Sequence, residues 1–126
     1  VANLTLTDDG LEWLVKRAFD NAGGPHAVSG HLAIGSGATT PSTGDAALVS
    51  ETARVAATFT YVSPGVCTVE ATFGAGVGTG TVAEAGVFVG SSSGILVGRC
   101  LVGPFTKGAG ASYTCQVTIS LVDSNA

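Results

Sequence analysis

Charge is scarce in this chain. Charged side chains make up 11% of its 126 residues, against about a quarter in an ordinary soluble domain. The five basic residues, Lys16, Arg17, Arg54, Arg99 and Lys107, are scattered. They cannot form the clustered stripe that releases counterions from nucleic acid, and the net charge of -4 points the same way. No apolar run approaches the roughly 20 residues needed to cross a bilayer, and the first residues lack the basic-then-apolar pattern of a signal peptide. The expectation is a protein made in the cytoplasm, with neither nucleic acid nor membrane as a partner.

Metal and redox chemistry are poorly provided for. The three cysteines, Cys67, Cys100 and Cys115, have no CxxC spacing and no nearby histidine pair, so they read as small buried hydrophobes. Neither His26 nor His31 has a spaced acidic or thiol companion. Residues 35–42, GSGATTPS, lack the Gly-Lys-Ser/Thr that would put a lysine on phosphates and a hydroxyl on magnesium. They read as a long surface loop. No cofactor, no metal and no catalytic residue is expected. A Glu51/Glu84 acid-base pair of the glycosidase type is the one catalytic arrangement the acids suggest, and burial of both glutamates beside arginine is the stronger reading.

What is abundant is glycine, at 19 residues, with alanine, valine, threonine and serine. The length suits one domain spanning 1–126. The chain centres on Thr79 to Arg99, TGTVAEAGVFVGSSSGILVGR. Two apolar runs flank a Gly/Ser turn, which predicts a hairpin. Glu84 interrupts the first run, and a carboxylate buried there needs a partner because an isolated buried charge costs several kcal/mol or more, by order of magnitude. Arg54, entering another apolar strand, is the expected partner, since arginine suits paired burial better than lysine.

Thr7-Asp8-Asp9-Gly10 offers an N-cap and first-turn acids for a helix over about 8–22. Leu11, Leu14, Val15, Ala18 and Phe19 form its apolar stripe. Trp13 lies about 200° around the wheel from Leu11 and is the expected subunit contact, tryptophan being enriched at interface centres. A strand is expected over Ala27 to Ile34, another over Thr52 to Tyr61, a hairpin turn at Pro64-Gly65, and a strand over Val66 to Phe73. Further strands follow from Ile95 to Leu101 and from Ser112 to Val122, with a loop over 103–110 between them. The whole reads as mainly β, a β-sandwich or jelly-roll-like fold with one N-terminal α-helix.

The runs Leu4 to Leu14, His31 to Gly37, Thr40-Pro41, Ala47-Leu48, Glu51, Arg54, Glu84 to Phe88 and Gly94 to Arg99, in this order, resemble the amino-terminal domain of tailed-phage tail-collar fibre proteins and small phage structural proteins of the same pattern. The likeness spans nearly the whole chain, although Ala83 stands where those fibre proteins often have a basic residue. A fibre continues into a shaft; a single domain of this length better suits a capsid decoration (cement) protein. The resemblance therefore implies a non-enzymatic virion protein on the capsid surface. It would bind the major capsid protein as a homo-oligomer, a trimer in preference to a dimer. Contacts are expected from Trp13, the 35–45 loop, the 103–110 loop and the polar face of the last strand. The alternatives are a tail adaptor or collar protein docking on baseplate or portal, and a carbohydrate-binding module that stacks Trp13 or Tyr61 on a sugar.

Overall fold

The computed structural model describes residues 2–19 and 30–121. Along the chain come strands β1 (Ala2–Asn3) and β2 (Thr5–Leu6), helix α1 (Asp8–Phe19), then β3 (Gly30–Gly35), β4 (Glu51–Ala56), β5 (Thr58–Ser63), β6 (Val66–Phe73), β7 (Gly80–Val89), β8 (Ile95–Lys107) and β9 (Tyr113–Ser120). They make two sheets, ordered β1-β9-β6-β5 and β2-β8-β7-β3-β4. Every pairing is antiparallel except that of β1 with β9. The described residues are mainly β and sandwich-like, with one short helix near the N-terminus.

Alternation builds the core between the sheets. Val69, Ala71 and Phe73 of β6 and Cys115 and Val117 of β9 meet Leu32, Ile34, Val82, Ala85, Val87, Val97 and Cys100 from the other sheet. Residues of opposite parity, Ala33, Phe88 and Leu96, form a second buried cluster with Leu48. They lie on the far face of the five-stranded sheet, where the 36–50 loop covers them. A strand buried on both faces carries no clean period of two, which is why 82–89 reads as a continuous apolar run.

Helix α1 starts as expected: Thr7 Oγ1 accepts the Gly10 N–H at 2.9 Å, and the Thr7 carbonyl takes the Leu11 N–H. Its packed face keeps Leu14 of the predicted stripe but not Leu11 or Val15, and the side chains of Ala18 and Phe19 lie outside the description. Leu11 is 39% and Val15 59% exposed, whereas Gly10 is buried and Leu14 packs on the core. The helix lies against β8 through Gly10, where a Cβ would stand 2.4 Å from the Val97 carbonyl oxygen. This close approach turns the wheel, so Trp13 is half-buried rather than outward. Alanine is ordinarily better than glycine in a helix by about 1 kcal/mol. Gly10→Ala is nonetheless expected to destabilise by about 1–3 kcal/mol, the cost of overpacking, measured as a lower urea midpoint at unchanged slope.

Three other boundaries differ. The expected strand over 52–61 breaks at Ala57, whose N–H bonds to Gly30 O at 3.1 Å, and its halves join different sheets. The expected 103–110 loop is strand as far as Lys107. Pro104 is tolerated because β2 pairs only with Gly98 and Arg99, leaving this part of β8 an edge. The last strand is shorter than expected and ends at Ser120. The expected helix end near 22, the start of the strand expected from Ala27, and His26 lie outside the described residues.

Candidate functional site

The hairpin of β7 and β8 and the strands beside it set out a small charge lattice on the far face of the five-stranded sheet. Register aligns Glu51, Gly35, Glu84 and Leu101 across β4, β3, β7 and β8. The next row in the same direction is Arg54, Ala33, Gly86 and Arg99. Each glutamate takes the arginine beside it. Arg54 binds Glu51 through Nε at 2.9 Å and Nη2 at 2.8 Å, while Arg99 Nε binds Glu84 Oε2 at 2.7 Å.

The expected partnership of Glu84 with Arg54 is therefore corrected: the partner is Arg99. Arg54 stands two strands from Glu84, about 10 Å across the sheet, whereas Arg99 is diagonal to it on the adjoining strand. Arg54 still joins distant segments. Its guanidinium lies 3.6 Å from the Phe88 ring centroid and donates to the Gly90 and Ser93 carbonyls, tying β4 to the hairpin turn.

Glu84 is 0% and Arg99 1% exposed. The carboxylate accepts three backbone N–H groups besides the guanidinium: Gly37 at 3.1 Å and Ser50 at 2.8 Å on Oε1, and Val49 at 3.0 Å on Oε2. Two carboxylate oxygens offer about four acceptor positions, and all are used. Burial alone would raise the Glu84 pKa. The Ser50 amide, the Arg99 guanidinium and the Val49 and Gly37 amides outweigh it and hold the pKa below the usual value of 4.5.

These bonds make the 36–50 segment an Ω-loop, a compact loop with close ends. Ser36 N–H bonds to Ser50 O at 3.0 Å, Asp8 N–H to Thr43 O at 2.9 Å, and Asp45 reaches Arg99 Nη1 at 3.4 Å. Leu48 plugs its underside. Gly35 and Gly37 are needed for the close approach, since a Cβ on either would stand within 2.7 Å of Glu84 Oε1. The loop's three amides, and Arg99 and Asp45 as partners, are not among the residues that the sequence singles out. The outer surface of the loop is almost uncharged: Ala38, Thr39, Thr40, Ser42, Thr43, Ala46, Ala47 and Val49 are exposed.

A second lock closes the opposite end of the same hairpin. Lys107, 2% exposed, donates to Gly74 O at 2.9 Å and Ala111 O at 2.7 Å. It fastens the turn after β6 to the turn before β9.

The acceptor positions of the ionised Glu84 are filled by the three loop amides and Arg99, and both oxygens of Glu51 accept from Arg54. Cys100 and Cys115 are buried and Cys67 half-buried. Burial, then the neighbouring Cys115, pushes the Cys100 thiol up to about 12, and burial also raises that of Cys115, the reverse of a reactive thiolate. Among the described residues no cluster of three His, Cys, Asp or Glu side chains could hold a metal ion. No described helix is long and apolar enough to cross a membrane.

An apolar cleft of about 350 Å³ opens at one end of the sandwich, with Trp13, Leu14, Phe59, Tyr61, Val66 and Ile119 among its lining residues. Trp13 faces this cleft beside Leu14. Comparison of the chain with protein families, with characterised proteins and with solved structures finds no match.

Proposed function

We propose that the chain is a non-enzymatic structural protein of a tailed-phage virion, a capsid decoration (cement) protein that binds the outer shell and braces major capsid protein contacts. One observation carries the reading. The sequence blocks whose order resembles phage virion domains, Gly35-Ser36-Gly37, Ala47-Leu48, Glu84-Ala85-Gly86 and Gly98-Arg99, converge on one clamp. The clamp uses its charges to hold a neutral loop rigid. A rigid loop loses little conformational entropy on docking, and an uncharged surface has little to desolvate.

The work would be mechanical. A ligand that binds only the assembled shell shifts stability toward it, so repeated small contacts oppose internal genome pressure. The exposed side of the 36–50 loop and the polar face of β9, with Thr114 and Gln116 exposed, are the surfaces offered to the shell. A homo-oligomer, trimer or dimer, would multiply such contacts by avidity. Trp13 remains the residue proposed for a subunit contact, now from the rim of the cleft. Its apolar surroundings weigh against sugar stacking, which also needs polar groups for the hydroxyls.

The test is co-sedimentation of the purified chain with capsids that lack tails. Saturable, stoichiometric pelleting is expected. Failure to pellet with capsids, together with binding to isolated tails or portals, would overturn decoration in favour of a tail adaptor or collar role.

A further inference from the structure

Strand edges need an explanation, because each presents a row of unpaired N–H and C=O groups that invites another strand. Most edges here are blunted. β1 and β2 are two residues long, and β4 carries the Glu51–Arg54 ion pair. The part of β8 that β2 leaves uncovered contains Pro104, and β9 is uncovered for only a short stretch before Val117.

β5 is different. It is the terminal strand of the four-stranded sheet, and its sequence Thr58-Phe59-Thr60-Tyr61-Val62-Ser63 has no charge and no proline. Phe59 is 40%, Tyr61 73% and Val62 55% exposed. A β-branched and aromatic strand of this kind has high strand propensity; its register with β6 shifts only between Tyr61 and Ser63, which leaves Thr58 to Tyr61 regularly paired with β6 and with no other neighbour among the described strands.

We propose that β5 is a self-association edge, pairing antiparallel with β5 of a second copy about a two-fold axis. The two four-stranded sheets would then join into one continuous sheet. The sequence of β5 is the argument for a second copy. A two-fold normal to the sheet keeps each face on its own side, so opposed residues share parity and the axis passes midway between the two copies of one residue. With the axis at Thr60, Phe59 faces the partner's Tyr61 and Tyr61 faces the partner's Phe59, while Thr60 faces the partner's Thr60.

Aromatic and threonine cross-strand pairs are among the favourable ones, and the uncharged strand brings no like charges together. Phe59 and Tyr61 pair with Val69 and Cys67 of β6 and both line the cleft. Their pairing across the axis would therefore close one apolar strip at the cleft mouth. An edge that pairs with itself closes as a dimer, which favours the two-fold over the three-fold form of the proposed oligomer. The inference does not depend on the virion reading, since self-pairing is measured on the chain alone and capsid binding in the pelleting assay.

Sedimentation equilibrium over a concentration series tests it. The wild-type chain is expected to pass from monomer to dimer mass. Thr60→Lys, which sets two ammonium groups across the axis at an exposed position, is expected to move the midpoint about tenfold or more upward with unchanged circular dichroism. Thr60→Cys is expected to form a disulfide-linked dimer under mild oxidation faster than wild type, because directly opposed antiparallel residues lie within disulfide reach. Monomer mass throughout for the wild type, an unshifted midpoint for the folded Thr60→Lys chain, or cross-linking of Thr60→Cys no faster than wild type would each overturn the proposal.

Discussion

Glu84→Ala is expected to cost about 3–5 kcal/mol, because removing one partner of a buried pair leaves the other charge uncompensated. Among the described residues Arg99 would keep only Asp45, at 3.4 Å, in a site where it is 1% exposed and its Nη2 already lacks a partner. The Gly37, Val49 and Ser50 amides would lose their acceptor at the same time. The melting temperature is expected to fall on the order of 10–20 °C for a domain of this size. A double-mutant cycle identifies the partner. Glu84→Ala is expected to be strongly non-additive with Arg99→Met and nearly additive with Arg54→Met. The opposite pattern would restore Arg54 as the partner.

Phe73→Ala is expected to cost a similar amount, about 3–5 kcal/mol, through lost transfer energy and the cavity left behind. Phe73 is 0% exposed at the end of β6 and stacks on Tyr113 with ring centroids 6.3 Å apart. Tyr113 in turn meets Phe105 edge-on at 4.8 Å. One deletion therefore loosens three strands, β6, β8 and β9, drawn from both sheets. Chemical denaturation would show a lower midpoint at unchanged slope; a loss below 1 kcal/mol would mean that the two sheets re-close over the gap.

The sequence made the local pattern legible. Alternation located β6 and most of β9, the Gly/Ser turn located the hairpin of β7 and β8, and Thr7 marked the helix start. What it hid were contacts between segments. A period of two says which side chains share a face, but not that a chain turns from one sheet into the other at Ala57. A hydrophobic wheel counts side chains, so it overlooks Gly10, whose value lies in having none.

The acid at 84 was readable as buried, because an apolar run on both sides leaves it nowhere to go. Arg99 was within reach of the same reasoning, since it sits across the predicted hairpin, two residues along β8 from Leu101, which stands opposite Glu84. Arg54 drew attention because it also enters an apolar strand, and it turned out to hold Glu51 and the hairpin turn instead. The three loop amides leave no mark in a sequence, because backbone donors are the same at every residue except proline.

An ionised Glu84 holds the Ω-loop to the sheet. A carboxylate whose folded pKa lies below its unfolded value adds stability that is complete above the unfolded value, and that stability is lost as pH falls through the folded one. For Glu84 the loss lies on the acid side of 4.5. The most direct measurement is an NMR titration following the Glu84 side-chain carbon together with the amides of Gly37, Val49 and Ser50. The clamp predicts a Glu84 midpoint below 4.5, with all three amides shifting at that same midpoint as the loop lets go. A midpoint at or above the ordinary value, or amides indifferent to it, would contradict the clamp.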